Sequence, residues 1–139
     1  MQLKNFETPV TKTEARYRDI DLNFKRHPST GDVSVRVDSN AVAQSLRTII
    51  LTNPGDLDEE PDFGVGVWGV LGENMTPAGV LTLKEKIIEQ CSLYEPRAEI
   101  SDVVISHDIE NYTIRIRVMY FVSNIDQMQD VTVSVTRIL

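Results

Sequence analysis

The sequence offers little from which a disulfide, a metal centre or a membrane anchor could be built. Its one cysteine, Cys91, has no second cysteine to pair with, and the two histidines lie at 27 and 107, so zinc-type ligand spacing is absent. The start, Met1-Gln2-Leu3-Lys4-Asn5-Phe6-Glu7, lacks the apolar run of a secretion signal, which points to a chain that folds in a cytosol. No apolar stretch approaches the roughly 20 residues needed to span a bilayer, and the longest helical candidate is interrupted by Lys84, Glu85, Lys86 and Glu89. Positive charge is also scarce: 14 Lys and Arg stand against 21 Asp and Glu. A net charge of −7 argues against nucleic acid or an anionic membrane as partner, since both reward clustered cations, and favours protein.

What is present suits one domain of 139 residues, long enough to bury a core without staples. The acid is concentrated in the middle, with 1 basic and 7 acidic groups over residues 38–80. Residues 1–18 are polar and aperiodic, an arm expected to order against a partner. Ile20, Leu22 and Phe24 alternate with Asp19, Asp21 and Asn23, as do Val33, Val35 and Val37 with their neighbours; His27-Pro28-Ser29-Thr30-Gly31 supplies the turn of a hairpin. Ser39 or Asn40 can cap a helix whose apolar face is Val42, Leu46, Ile49 and Ile50, and Asn53-Pro54-Gly55 stops it.

Asp56 to Gly69 then reads as an irregular acidic loop with one short helical turn near Trp68; Trp68 and Phe63 are assigned to the core. Thr76-Pro77 opens a second helix, to Tyr94, with a stripe of Val80, Leu83, Ile87, Cys91 and Tyr94 and with Glu85, Lys86, Glu89 and Gln90 outside. Pro96 ends it at Glu95. Strands follow over Ala98 to His107, with a register change near Ser101-Asp102, over Tyr112 to Val122, and over Val131 to Leu139. The expected fold class is α+β, two main helices packed on a mostly antiparallel sheet, with an N-terminal hairpin and C-terminal strands, in one domain over residues 19–139.

Catalytic signatures are missing. Gly64-Val65-Gly66 has neither the strand, the helix nor the lysine of a phosphate-binding loop, and Asp56-Leu57-Asp58-Glu59-Glu60-Pro61-Asp62 lacks the alternating ligands of a calcium loop. Cys91 falls on an apolar helix face, where a thiol is packing. Carboxylates are abundant, so a lysozyme-like peptidoglycan hydrolase is the enzyme to weigh as an alternative, but no pair, such as Glu73 with Glu95, stands out. The expectation is a non-enzyme with no cofactor.

Tyr94-Glu95-Pro96-Arg97 sits where the long helix meets the sheet. Either Glu95 and Arg97 form a local surface ion pair at a helix stop, or the turn holds Arg97 so that its donors face a neighbouring subunit. Both readings stand on the sequence alone.

The ordered set Ile20-Asp21-Leu22-Asn23-Phe24, His27-Pro28, Thr30-Gly31-Asp32-Val33, Leu51-Thr52-Asn53-Pro54-Gly55, Pro61-Asp62-Phe63-Gly64, Glu73-Asn74-Met75-Thr76-Pro77 and Tyr94-Glu95-Pro96-Arg97 resembles the gene-25-like family of contractile-tail phage baseplate wedge proteins, the sheath initiators. The family has relatives in phage-derived injection machines and the type VI secretion baseplate. The resemblance implies a structural subunit of the virion tail baseplate, assembled in the host bacterial cytoplasm, monomeric alone and multicopy in the assembly. Its partners would be other wedge subunits, at Glu95, Pro96 and Arg97, and the tail sheath protein. The sheath would be reached by strand pairing through Tyr112, Ile114, Ile116, Val131, Val133 and Val135, since a strand near a chain end is easily left at a sheet edge.

Overall fold

The computed structural model describes residues 18–20, 22, 24, 26, 28–29, 31, 35–37, 39–71, 75–122 and 125–138, with 18–20, 35–37, 39 and 126 described by backbone alone. Residues 1–17 of the expected arm, and the strand start at 32–34, lie outside these. Strand β1 (Arg18–Ile20) pairs antiparallel with β2 (Val35–Val37), the expected hairpin in a shorter form. The alternation through Leu22 and Phe24 does not extend β1. Phe24 takes a left-handed φ of 51°, which breaks the two-residue period, and its ring is 70% exposed; Leu22 is exposed as well. The backbone N–H of Leu22 donates to Gln44 Oε1 at 3.0 Å, tying this segment to the next helix.

Helix α1 (Ser39–Leu51) buries Val42, Leu46, Ile49 and Ile50, the face its periodicity dictates. A loop leads to the one-turn α2 (Val67–Val70) and then to α3 (Pro77–Tyr94). Thr76 caps α3, accepting from the Gly79 N–H at 3.1 Å, with Pro77 at the first helical position. Leu83, Ile87 and Cys91 are buried; Val80 and Tyr94 lie at the margins of the stripe. Gln90 is not outside as expected. It is 6% exposed, and its Oε1 accepts from the Gly64 N–H at 2.9 Å, so the polar side chain is buried because it satisfies a loop backbone.

The main sheet is antiparallel in the order β3 (Ala98–Asp108), β4 (Thr113–Val122), β5 (Ile125–Thr136). The register of β3 on β4 shifts between Ile100 and Asp102, where the sequence calls for it. Val103 of β3, alternate residues of β4 from Ile114 to Val122, and Val131, Val133 and Val135 of β5 form one buried face. Helix α3 lies against β3 and α1 against β5, so one core joins both helices to this face.

Two strand limits depart from expectation. Tyr112 is not in β4: a φ of 49° places it in the turn before the strand, exposed. Strand β5 starts six residues early, because Ile125 already pairs with Val122, and ends at Thr136, leaving Ile138 94% exposed.

Candidate functional site

The first candidate region is the turn after α3. Pro96 stops the helix, and the Glu95 N–H closes the last turn on the Cys91 carbonyl at 2.9 Å. The Glu95 side chain, 2% exposed, points inward. Arg97 returns over it as a fork: Nε donates to Oε1 at 2.6 Å and an η nitrogen to Oε2 at 2.7 Å, and the Arg97 N–H also donates to Oε1 at 3.3 Å. From α1, Ser45 adds a further hydrogen bond to this carboxylate.

Burial pushes the Glu95 carboxyl up, but the Arg97 and Ser45 hydrogen bonds with the Arg97 charge outweigh it and hold the group below its ordinary value of 4.5. The pair is therefore not the surface contact of the local reading. It is a buried carboxylate under a guanidinium that keeps a quarter of its side chain exposed, joining α1, the end of α3 and the start of β3. Glu95 is committed to this internal cluster, so Arg97 is the charged member of the turn with exposed surface.

The preceding loop is fixed to the same scaffold. Gly55 donates to the Pro61 carbonyl at 2.9 Å, Val65 to the Ile49 carbonyl at 3.2 Å and Gly66 to the Thr52 carbonyl at 3.2 Å. Gly64 takes φ 108°, and a Cβ there would sit 2.3 Å from the Thr52 oxygen, so the residue must be glycine. Phe63 stacks edge-on against Tyr94, with centroids 4.8 Å apart and planes at 77°. Glu60 and Asp62 face Tyr94 from this loop, yet among the described residues no group of three carboxylate, histidine or cysteine side chains could hold a metal ion.

The second region is the β5 edge of the sheet, one of two, since β3 is the other outer strand among the described residues. Strand β4 is paired on both sides, so Ile114 and Ile116 have no backbone left for another chain, and Tyr112 lies outside the strand. For these three residues the expected strand pairing is excluded by the topology. Strand β5 is an edge, and its register decides which groups it presents. Arg137 donates to the Tyr112 carbonyl at 3.0 Å, which makes 112 and 137 a hydrogen-bonded pair. Alternation then turns the backbone of Val135, Val133 and Val131 toward Ile114, Ile116 and Val118, and that of Thr136, Ser134 and Thr132 outward. The three valines are core side chains; the outward backbone groups belong to the residues between them.

Trp68, which sequence reasoning assigned to the core, is 49% exposed. Its indole N–H donates to the Leu51 carbonyl at 3.1 Å, at the C-terminal end of α1. Its position three residues after Val65 gave no sign of this, because α2 is too short for a periodic face.

Known proteins share this fold. The family described as baseplate wedge protein gp25 matches residues 36–127. The baseplate wedge protein gp25 of Enterobacteria phage T4 is 31% identical over 115 residues, covering 83% of this chain and 85% of its own. A chain in the cryo-EM structure of the anti-feeding prophage baseplate superposes with a TM-score of 0.67 at 29% identity, over 79% of this chain and 88% of that one. A protein described as a tail lysozyme from Geobacter sulfurreducens superposes with a TM-score of 0.60 at 24% identity, over 68% of this chain and 86% of its own, a likeness of fold. With the matched region spanning both helices and most of the sheet, the chain belongs to the baseplate wedge protein gp25 family.

Proposed function

We propose that this baseplate wedge protein is a non-catalytic bridge: its Glu95-Pro96-Arg97 turn contacts other wedge subunits, and the outer edge of β5 accepts a strand from the first ring of the sheath protein. The observation that carries the reading is the pairing of β5. Among the described residues the strand has a neighbour only on its β4 side, and Thr132, Ser134 and Thr136 direct their backbone N–H and C=O groups away from it. Assembly in the host cytoplasm, from a monomer into a multicopy ring, belongs to the same reading.

Against hydrolysis stands the direction in which the carboxylates are displaced. A glycosidase acid must be raised to keep its proton near neutral pH. Glu95 is lowered; Asp102 is lowered by hydrogen bonds from Lys84 and the Val103 N–H, and Asp108 by hydrogen bonds from the Asn111 side chain and backbone. The buried carboxylate is thus committed to the ionised form, which suits a structural clamp on Arg97.

Deleting β5 would remove Val131, Val133 and Val135 from the core, so point variants make the cleaner test. Ser134→Pro removes an outward N–H and leaves the β4–β5 ladder whole. Arg97→Lys keeps a charge for Glu95 but loses the fork. Capture of purified full-length chain by co-expressed wedge and sheath proteins is expected to lose sheath alone with Ser134→Pro and to weaken for wedge alone with Arg97→Lys. Sheath capture by Ser134→Pro at the level of the unaltered chain would sink the strand reading.

A further inference from the structure

Beside the end of β5 lies a cleft of about 460 Å³ lined by Trp68, Gly69, Leu71, Thr136, Arg137 and Ile138. Three features set it apart from an ordinary surface dent. The indole is half exposed but not loose, since its bond to the Leu51 carbonyl fixes the ring as a rigid wall. Ile138, in its lining, and Leu51, whose carbonyl accepts from the indole, are exposed too, so a tryptophan, a leucine and an isoleucine share one end of the molecule with little covering them among the described residues. Gly69 has helical backbone and needs no positive φ, and a Cβ there would meet nothing within 4 Å; a glycine at a helical position costs stability relative to alanine, and here it leaves the cleft open.

We propose that this cleft is the anchor pocket of the strand-accepting edge: it takes one large apolar side chain from the extended segment that adds alongside β5, while a carboxylate of the same segment meets Arg137. The proposal rests on the strand-addition reading and sharpens it. Thr136, whose backbone points outward at the end of β5, is also a wall of the cleft, so a segment paired with the strand passes the cleft mouth without changing course. Main-chain pairing alone is indifferent to sequence, and side-chain pockets beside the edge are what select one strand over another. The charge of Arg137, which has no ion-pair partner among the described residues, sets the second requirement: an acid in the incoming segment. Tryptophan is also among the residue types enriched where binding energy is concentrated.

Trp68 is the one tryptophan of the chain, so replacement by 5-fluorotryptophan gives a single fluorine resonance. Titration of the labelled full-length chain with the unlabelled sheath protein of its own tail is expected to move that resonance, whereas wedge proteins leave it in place. Trp68→Ala, and Gly69→Leu as a plug that does not remove the indole, are each expected to weaken sheath capture about tenfold with wedge capture unchanged. Sheath bound with the resonance unmoved, and both variants binding like the unaltered chain, overturns the pocket while the strand reading stands. Undiminished capture by Ser134→Pro overturns the strand reading and this inference with it.

Discussion

The turn after α3 and the outer edge of β5 are the two regions we propose for partner contacts, and they are built in opposite ways. At the turn a charge is buried, and every contact is with the chain itself: Glu95 takes three hydrogen bonds from Arg97 and one from Ser45. At the edge no charged side chain among the described residues is buried, and among those residues no strand lies beside the backbone groups of Thr132, Ser134 and Thr136. The polar groups of the turn are satisfied within the chain, whereas those of the edge are left to solvent and are open to an incoming strand. On the proposed function, the difference predicts one region sensitive in folding and the other sensitive only in assembly.

The largest expected effect tests that contrast at the turn. Arg97→Ala strands the Glu95 carboxylate in the core and is expected to destabilise the isolated chain by roughly 3–5 kcal/mol, read by chemical denaturation. A loss of wedge binding in that variant would therefore not by itself identify a contact, which is why the lysine variant is preferred. Next, Gln90→Leu leaves the Gly64 N–H buried without an acceptor and should cost roughly 1–3 kcal/mol, locating part of the rigidity in the loop.

The third effect is acidic. Because the folded Glu95 carboxyl lies below its ordinary value of 4.5, its stabilising contribution is complete above that pH and is lost as pH falls through the folded value. Denaturation midpoints should fall on acidification below about pH 4, and Glu95→Gln should flatten that part of the profile. Smallest is the edge: Ser134→Pro should shift the denaturation midpoint by less than about 0.5 kcal/mol equivalent, since it breaks no bond within the sheet. A large loss there would erase the distinction between the regions.

The sequence made legible whatever was decided within a few residues. Thr76-Pro77 started α3, Pro96 ended it, and the apolar period of α1 chose its buried face, because capping, ring closure and periodicity are local. Long-range pairing was less legible. Tyr112 and Phe24 both carried the right alternation and both left their strands through a left-handed φ, which is set by how the turn must close. Gln90 looked like a surface residue until a loop 26 positions earlier supplied its donor. Of the candidate site, the Glu-Pro-Arg turn could be named in advance, but the burial of Glu95 depends on Ser45 and on the packing of α1. Which side of β5 is free depends on a register that only the β4–β5 hairpin determines.

Cys91 sits at the centre of this core, and burial, with the charge of Glu95 beside it, pushes its thiol up to about 12. At neutral pH it is both hidden and protonated, so an alkylating reagent reaches it only when α3 lifts from the sheet. With no other thiol in the chain, the rate of its modification is a clock for how often this core comes open, and for how far binding to other baseplate subunits slows it.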